Sequence, residues 1–164
     1  ERRCSMADMV NVYEIRWAED KDWIPAMHMI WKTFLKFEAV DYTEEGIRNF
    51  YDFITDEHLY KSFLQGRYQM MVALDGERVI GAASVRNYNH LSLLFVDEEY
   101  HHRGIGRDLM RRMCEYLKKE EGERYMSLKA APYAVEFYRK LGFHAVHEEE
   151  AFSGIRVTPM EKFL

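Results

Sequence analysis

The segment spanning residues 101–107 constrains the fold of this chain more than any other. It reads His101-His102-Arg103-Gly104-Ile105-Gly106-Arg107. An apolar run at residues 91–96 precedes it and an amphipathic pattern follows it, so the order predicts a strand, a turn and the start of a helix. The first N–H groups of a helix lack intrahelical partners and can bind an anion, while glycine lets a ligand approach the backbone closely. Together with the positive charge of Arg103 and Arg107, this pattern predicts a phosphate-binding loop.

Two common phosphate-binding motifs do not fit this segment. A P-loop requires Gly-Lys-Ser/Thr, but Gly106 is followed by Arg107 and Asp108. A dinucleotide-binding fingerprint requires a third small residue three positions after Gly106, where this chain has Leu109. It also requires an acidic residue at the end of the next strand, and that predicted strand ends in Lys129. The named residues therefore exclude both motifs.

A third kind of phosphate loop does fit. Residues 101–106 resemble the acyl-CoA pyrophosphate loop of the GNAT (GCN5-related N-acetyltransferase) superfamily, whose pattern is Gln/Arg-x-x-Gly-x-Gly/Ala between a strand and a helix. The one departure is His101, which stands where Gln or Arg is usual and whose charge depends on pH. On this motif alone, an ordinary strand-to-helix turn remains the alternative.

A second motif lies at residues 131–143. It reads Ala131-Pro132-Tyr133-Ala134-Val135-Glu136-Phe137-Tyr138-Arg139-Lys140-Leu141-Gly142-Phe143. Pro132 suits the first turn of a helix and Gly142 suits its C-terminal cap, so the segment predicts a short helix. It resembles the other GNAT signature, A-x-x-F-Y-x-K-x-G-F. With two motifs in the family's order, the chain is identified as a small bacterial-type member of the GNAT superfamily, with weaker resemblance over residues 13–163.

Hydrophobic patterns along the chain predict one domain over residues 9–164. The predicted elements are a strand at 12–17, helices opening at Asp20 and Thr43, strands at 68–74, 78–86 and 89–96, a helix at 104–120, a strand at 124–129, a helix at 132–141, and strands at 143–148 and 155–163. This order, β-α-α-β-β-β-α-β-α-β-β, matches the GNAT fold. The resemblance implies an α/β (α+β) class with a mixed, mostly antiparallel central sheet of about seven strands and helices on both faces. Residues 1–8 have no start methionine and no periodicity, and are expected to be an expression remnant or a disordered terminus.

Composition narrows the classes of function. A hydrophobic fraction of 48% excludes a disordered chain, and a net charge of −5 argues against a general nucleic-acid binder. No apolar run approaches the length of a membrane span, so no membrane partner is expected. Cys4 and Cys114 are expected to be reduced thiols of a cytoplasmic protein. The histidines form no recognised zinc pattern, so no metal is expected.

The resemblance also implies where acetyl-CoA, the co-substrate, would bind. In the family, the strand before the glycine loop holds the pantetheine arm through its backbone. The residues implied here are Leu94, Phe95 and Val96 for the pantetheine, and His101, His102, Arg103, Gly104, Ile105, Gly106 and Arg107 for the pyrophosphate. Many related sequences carry Asn in the next strand where this chain has Lys129. Lys129 would either meet a cofactor phosphate or point to solvent.

The catalytic groups are implied by the same resemblance. Tyr138 matches the family tyrosine that protonates the departing CoA sulfur, and a phenol is a reasonable acid for a thiolate; the alternative is a half-buried helix aromatic. Two residues are candidates for the base that takes the amine proton. His90 lies where some members place a catalytic carboxylate or histidine, and Glu38 lies in the link between the first two helices, which lines the acceptor side in this family. For both, a solvated side chain without a catalytic role is an equal alternative.

These residues predict an acetyl-CoA-dependent N-acetyltransferase that acetylates a primary amine of a small molecule or peptide by direct attack, with Tyr138 as the general acid. Acidic and aromatic residues near the acceptor side favour an amine or a basic peptide end. They are Glu38, Asp41, Tyr42, Glu148, Glu149 and Glu150. Two alternatives stay open, a non-catalytic acyl-CoA-binding sensor or regulatory module on the same fold and a nucleotide-binding regulator. A homodimer is compatible with exposed strand edges and with the habits of the family.

Overall fold

The computed structural model describes residues 13–164, and an eight-stranded sheet forms their centre. The strands are β1 (Glu14–Trp17), β2 (Gln69–Asp75), β3 (Arg78–Arg86), β4 (His90–Val96), β5 (Tyr125–Ala130), β6 (His144–Ala145), β7 (Glu150–Phe152) and β8 (Ile155–Phe163). Their spatial order is β1-β2-β3-β4-β5-β8-β6, with β7 paired to β8. β4 and β5 run parallel and the other pairs are antiparallel. The predicted mixed, mostly antiparallel sheet is confirmed, whereas the predicted remnant at residues 1–8 lies outside the described residues, as does Cys4.

Helices cover both faces of the sheet, as predicted. Those within residues 13–164 are α1 (Asp20–Phe37), α2 (Glu44–Ile54), α3 (Glu57–Leu64), α4 (Ile105–Lys119) and α5 (Val135–Lys140). On one face, Ile30 and Phe34 of α1 join a core with inward side chains of β2, β3 and β4. On the other face, Leu109 and Met113 of α4 pack against the alternate side chains of the same strands. The period of two along each strand thus supplies both cores.

Two elements depart from the sequence-based prediction. α3 is absent from the predicted order because it is only eight residues long and buries no side chain completely. Its start is marked by Asp56, whose carboxylate accepts a hydrogen bond from the His58 N–H at 2.9 Å. The strand predicted at 143–148 is shortened to the two residues of β6, and β7 is a further strand that was not predicted. Between them β8 presents Pro159, which has no N–H to continue the ladder and only accepts from the Val146 N–H at 3.0 Å.

The start of α4 is held close to the sheet by a small residue in β3. Gly81 lies opposite Val96, the last residue of β4. A Cβ atom at Gly81 would lie 3.1 Å from Leu109 Cδ1 and 3.3 Å from Ile105 Cγ2, closer than side chains normally approach. The glycine therefore lets the first turns of α4 settle on the sheet, which places the N-terminus of this helix beside the end of β4.

β4 and β5 separate after a single pairing. His90 lies opposite Ser127, and the Ser127 N–H donates to the Asn89 carbonyl at 3.0 Å. Beyond this point, β4 has no strand partner on its β5 side among residues 13–164, while the opposite edge of β5 pairs with β8 along its whole length. The divergence opens a gap in the middle of the sheet.

Three further observations concern the classes of site discussed above. Cys114 is buried and its thiol is free. In the described part of the chain, no helix is long and apolar enough to cross a membrane. Over the same residues, no group of three or more His, Cys, Asp or Glu side chains is arranged to hold a metal ion.

Candidate active site

A cleft of about 980 Å³ occupies the gap between β4 and β5. Its walls come from β4, the glycine loop, the link between α1 and α2, and the turn between β7 and β8. The predicted site residues that line it are Glu38, His90, Leu94, Phe95, Val96, His101, His102, Gly104, Ile105, Gly106, Arg107, Lys129 and Tyr138. The structure thus brings the predicted residues into one space, with Arg103 as the exception.

The glycine loop presents backbone amides to the cleft. Gly104 is the N-cap of α4 and has a φ of +80°, in the left-handed region that favours glycine. It offers no capping side chain, so the first N–H groups of α4 are left for another partner. A Cβ atom at Gly104 would meet no atom within 4 Å. The loop therefore keeps open space beside its backbone at Gly104, a residue that lines the cleft.

His101 supports the loop from within the protein. Its Nε2 lies 2.7 Å from the Val96 carbonyl oxygen, and its ring lies 5.1 Å from the Phe37 ring, centroid to centroid. Because Nε2 donates to the carbonyl, Nδ1 of the neutral ring is an acceptor and cannot donate to a phosphate. His101 thus ties the loop to the end of β4, and a phosphate contact would require the protonated ring.

The two loop arginines lie in different places. The Arg103 guanidinium lies over the Tyr100 ring, 5.1 Å from its centroid, and Arg103 is absent from the residues that line the cleft. Arg107, in the first turn of α4, is exposed and lines the cleft. The sequence predicted that both arginines would place positive charge at the phosphate site. Of the two, only Arg107 lines the cleft.

Glu38 lies among tyrosines at the α1–α2 end of the cleft. The Tyr133 hydroxyl donates to Glu38 Oε1 at 2.9 Å, and Tyr42 also contacts this carboxylate. Burial raises the pKa of Glu38 to about 7, with the nearby charge of Asp41 acting in the same direction and the tyrosine hydrogen bonds opposing it. Glu38 can therefore gain or lose a proton near neutral pH.

Tyr138 faces Glu38 from α5. Its ring packs against Phe137 and Phe143, with centroids 5.3 and 5.7 Å away. Burial raises the pKa of Tyr138, and the negative charge of Glu38 raises it further. The phenol consequently keeps its proton while Glu38 is ionised, so the two groups form an electrostatically linked pair in the cleft.

His90 occupies a different, basic part of the cleft. Its Nδ1 lies 2.9 Å from the Ser127 hydroxyl oxygen. Burial, together with the positive charges of Arg86 and Lys129, lowers the pKa of His90 to about 4. The two base candidates therefore differ in kind: Glu38 titrates near neutrality, whereas His90 is neutral there.

Lys129 extends along the acceptor side of the cleft. Its Nζ lies 3.3 Å from the centroid of the Phe152 ring, a cation–π contact, and its charge acts on His90. These contacts join Lys129 to β7 and to the start of β4. Its predicted contact with a cofactor phosphate has no support in this placement.

Contrary to expectation, the acidic residues 148–150 do not line the cleft. Glu149 instead pairs with Arg156 at 2.9 Å across the β7–β8 hairpin. The residues that reach the cleft from this hairpin are Phe152, Ser153, Ile155 and Val157. The expectation rested on the position of the acids in the chain. Strand pairing instead turns apolar side chains of the hairpin toward the cleft.

Two glycines fasten this hairpin to the start of α2. The Gly154 carbonyl accepts from the Thr43 N–H at 3.0 Å, and Asn49 Nδ2 donates to the Ser153 hydroxyl at 2.9 Å. A Cβ atom at Gly46 would lie 2.5 Å from the Gly154 oxygen. Only glycine permits this approach, which closes the cleft over the acceptor end.

Tyr133 is a site residue that the sequence reasoning missed. It was recognised only as part of the second motif, although its hydroxyl reaches Glu38, 95 residues earlier. The signal in the sequence that could have indicated Tyr133 is Pro132. It begins a turn of 3-10 helix before α5, so the Tyr133 side chain does not follow the pattern of the α-helix. Tyr42, by contrast, was expected on the acceptor side and lines the cleft.

The sheet separates around a cleft, and a glycine-capped helix lies at the mouth of that cleft. An acetyltransferase (GNAT) domain model matches residues 38–164, which is most of the chain. The chain therefore belongs to the GNAT acetyltransferase family, as its two motifs predicted. Among curated proteins, no sequence matches it.

Solved structures of low sequence identity share the fold. A GCN5-related N-acetyltransferase from Rhodopseudomonas palustris is 24% identical with a TM-score of 0.79, covering 94% of this chain and 97% of that chain. The PaiA N-acetyltransferase from Thermoplasma acidophilum, in complex with coenzyme A, is 22% identical with a TM-score of 0.78 and coverages of 93% and 99%. A dodecameric spermidine N-acetyltransferase from Vibrio cholerae is 18% identical with a TM-score of 0.64 and coverages of 93% and 94%.

Proposed function

We propose that the protein transfers an acetyl group from acetyl-CoA to a primary amine of a small molecule or peptide, by direct attack of the amine on the thioester. One observation carries this proposal: a single cleft joins the glycine loop, a carboxyl group with a pKa of about 7 and a half-buried tyrosine. Groups with shifted pKa values that share a cleft are typical of active sites. The coenzyme A complex of PaiA N-acetyltransferase supports an acyl-CoA as the co-substrate.

The mouth of the cleft fits an acyl-CoA. The amides at the start of α4 and the Arg107 side chain suit a pyrophosphate, and the open space beside Gly104 leaves room for its oxygens. The unpaired edge of β4 at residues 94–96 can bind the amides of a pantetheine arm as it would bind an added strand. When bound, acetyl-CoA supplies the activated acetyl group.

We assign the role of base to Glu38. A carboxyl group with a pKa of about 7 is partly ionised at neutral pH and can take a proton from an ammonium ion. His90, with a pKa lowered to about 4, is a much weaker base. The positive charges beside His90 would also repel an ammonium ion. The negative charge of Glu38 attracts one, so binding and deprotonation occur at the same group.

We assign the role of acid to Tyr138, and its acidity depends on the charge of Glu38. While Glu38 is ionised, its charge helps to keep the pKa of Tyr138 high. Once Glu38 has taken up the ammonium proton, that charge is gone and the pKa of Tyr138 falls. Attack of the amine forms the C–N bond, and Tyr138 donates its proton to the sulfur as the C–S bond breaks. The proton that the acylated nitrogen must lose returns to the Tyr138 oxygen, so the phenol is restored. Base and acid therefore act in the required order.

Acetyl-CoA and CoA are expected to raise the melting temperature of the protein, whereas NAD and ATP are not. A ligand at about a hundred times its Kd stabilises a protein by about 2.7 kcal/mol, which shifts Tm by roughly 5–11 °C in a domain of this size. A thermal-shift comparison of the four ligands at saturation checks this. A folded sample whose Tm does not change with acetyl-CoA would contradict the proposal. A rise in Tm with NAD or ATP alone would favour a nucleotide-binding regulator. Release of free thiol on adding an amine separates the enzyme from a non-catalytic sensor.

Tyr138→Phe is expected to lower kcat by about a hundredfold and to leave the KM for acetyl-CoA nearly unchanged. Phenylalanine keeps the ring contacts with Phe137 and Phe143 and removes only the hydroxyl. Steady-state kinetics by thiol release measure the effect, and Tyr125→Phe, at an exposed tyrosine outside the cleft, is the matched control. If Tyr138→Phe has the wild-type kcat under conditions where chemistry is rate-limiting, Tyr138 is not the acid.

Two further expectations belong to the same proposal. A cytoplasmic location suits the free thiol of Cys114, since reducing compartments keep cysteines unpaired. A homodimer stays a prediction.

A further inference from the structure

The end of the cleft opposite Glu38 is positively charged. Arg86 is the last residue of β3 and lies opposite His90 in the strand register. Lys129 reaches the same end from β5, and both side chains line the cleft. Their charges act on His90, which places the three basic side chains around one space. Among the residues that line the cleft, the remaining bases belong to the glycine loop and Glu38 is the only carboxylate.

Arg86 has a hydrogen-bond donor with no acceptor. Its Nε is buried and has no hydrogen-bond partner, the only side-chain nitrogen or oxygen of this kind in the described part of the chain. Over the same residues, neither Arg86 nor Lys129 forms a salt bridge with an acid. Both side chains line the cleft, so their uncompensated positive charge is available to an anionic group of a ligand.

We propose that the amine substrate also carries a carboxylate, which Arg86 and Lys129 bind while Glu38 receives the ammonium group. This inference rests on the proposed function and names its acceptor class. The guanidinium suits a carboxylate because its donors form paired, charge-assisted hydrogen bonds. The cleft is therefore negative at one end and positive at the other, which matches a zwitterion.

The walls between the two charged ends are apolar. Phe50 and Phe53 of α2 and Phe152 of β7 line this part of the cleft. Such walls suit an apolar or aromatic body between the amine and the carboxylate. A polyamine fits poorly, because its second ammonium group would face Arg86 and Lys129. The inference narrows the expected amine or basic peptide end to an amine that also carries a carboxylate.

The test compares four amines that differ in charge. The probes are 4-(aminomethyl)benzoate, whose amine and carboxylate lie on opposite sides of an aromatic ring, its carboxamide, benzylamine and spermidine. For each, kcat/KM is measured by thiol release at saturating acetyl-CoA, and Kd for the CoA-loaded protein is measured by calorimetry. Relative to its carboxamide, 4-(aminomethyl)benzoate is expected to have a kcat/KM about tenfold to a hundredfold higher and a Kd lower by the same factor, as for the gain of a charged hydrogen-bond pair.

Variants identify the group responsible. Arg86→Met is expected to reduce the preference for the acid over the carboxamide to about twofold or less, while the affinity for acetyl-CoA stays unchanged. Lys129→Met is expected to reduce it in the same direction. Arg48→Met, at an exposed arginine of α2 outside the cleft, removes the same charge and is expected to keep the full preference. Arg86→Met removes no hydrogen bond of the folded protein at Nε, so it is expected to fold.

The two proposals fail in different ways. If the carboxamide, benzylamine or spermidine equals or exceeds 4-(aminomethyl)benzoate in kcat/KM or in affinity, the carboxylate inference is overturned and the acetyltransferase proposal stands. An undiminished preference in Arg86→Met also overturns the inference. If acetyl-CoA fails to bind, or no amine releases thiol, the proposed function is at fault, and the affinities of the acid and carboxamide still decide the inference.

Discussion

Gly104→Val is expected to abolish detectable binding of acetyl-CoA. The residue caps α4 with a φ of +80° and lines the mouth of the cleft. A valine there would place a branched side chain in the space left beside the loop backbone, and the left-handed conformation costs a β-branched residue about 1–3 kcal/mol. Both effects remove the close backbone approach that a pyrophosphate needs. Isothermal calorimetry with acetyl-CoA measures the loss, which we expect to exceed about a hundredfold in Kd.

Gly122→Val is the matched control for this variant. Gly122 follows α4 with a φ of +68°, and a Cβ atom there would also meet nothing within 4 Å, but the residue lies outside the cleft. The two variants are expected to lose similar amounts of stability in denaturant unfolding, and only Gly104→Val is expected to lose the ligand. If Gly104→Val binds acetyl-CoA with wild-type affinity, the pyrophosphate site lies elsewhere.

Glu38→Gln is expected to lower kcat/KM for the amine by about 10²–10⁴-fold, the usual range for removal of a general base. In the wild-type protein the ionised form of Glu38 accepts the proton. Because the pKa of Glu38 is raised to about 7, kcat/KM is expected to fall about tenfold per pH unit below that value. Glutamine removes the titrating group, so this acidic limb should disappear from the pH profile. Kinetics between pH 5.5 and 8.5 test both expectations.

The fold is not expected to suffer from this change. A carboxyl group whose pKa is raised by folding favours the folded state in its protonated form, so its contribution to stability is lost as pH rises from its ordinary pKa toward 7. Glu38→Gln should therefore be at least as stable as the wild type at pH 8. Glu77→Gln, in the β2–β3 turn outside the cleft, is the kinetic control. An acidic limb near pH 7 that survives in Glu38→Gln would assign the base to another group.

The parts of the fold and site that could be predicted are those determined by residues close together in the sequence. The glycine loop and α4 follow from a strand pattern, two glycines and a helical period within about thirty residues. The short helix α5 is marked in the same way by Pro132 and Gly142. These patterns depend on neighbouring residues and not on contacts between distant segments. The structure has both helices at the predicted places.

The rest depended on contacts between distant segments. Nothing near Glu38 in the sequence indicates that Tyr133 will bond to it, because β5 and a 3-10 turn bring the two together only in the folded sheet. The orientation of Lys129 toward Phe152 depends likewise on the pairing of β5 and β7 with β8. The choice between His90 and Glu38 required the surroundings of each group, which the chain order does not contain.

The early separation of β4 from β5 has a consequence for solubility. An unpaired strand edge at the periphery of a sheet is a template for other chains and a hazard for aggregation. Here the unpaired edge of β4 faces β5 across a cleft, so the strand of another molecule would have to enter between two strands of one sheet. The main-chain donors and acceptors of this edge therefore stay accessible to a narrow ligand, while they are shielded from the strands of other copies of the protein.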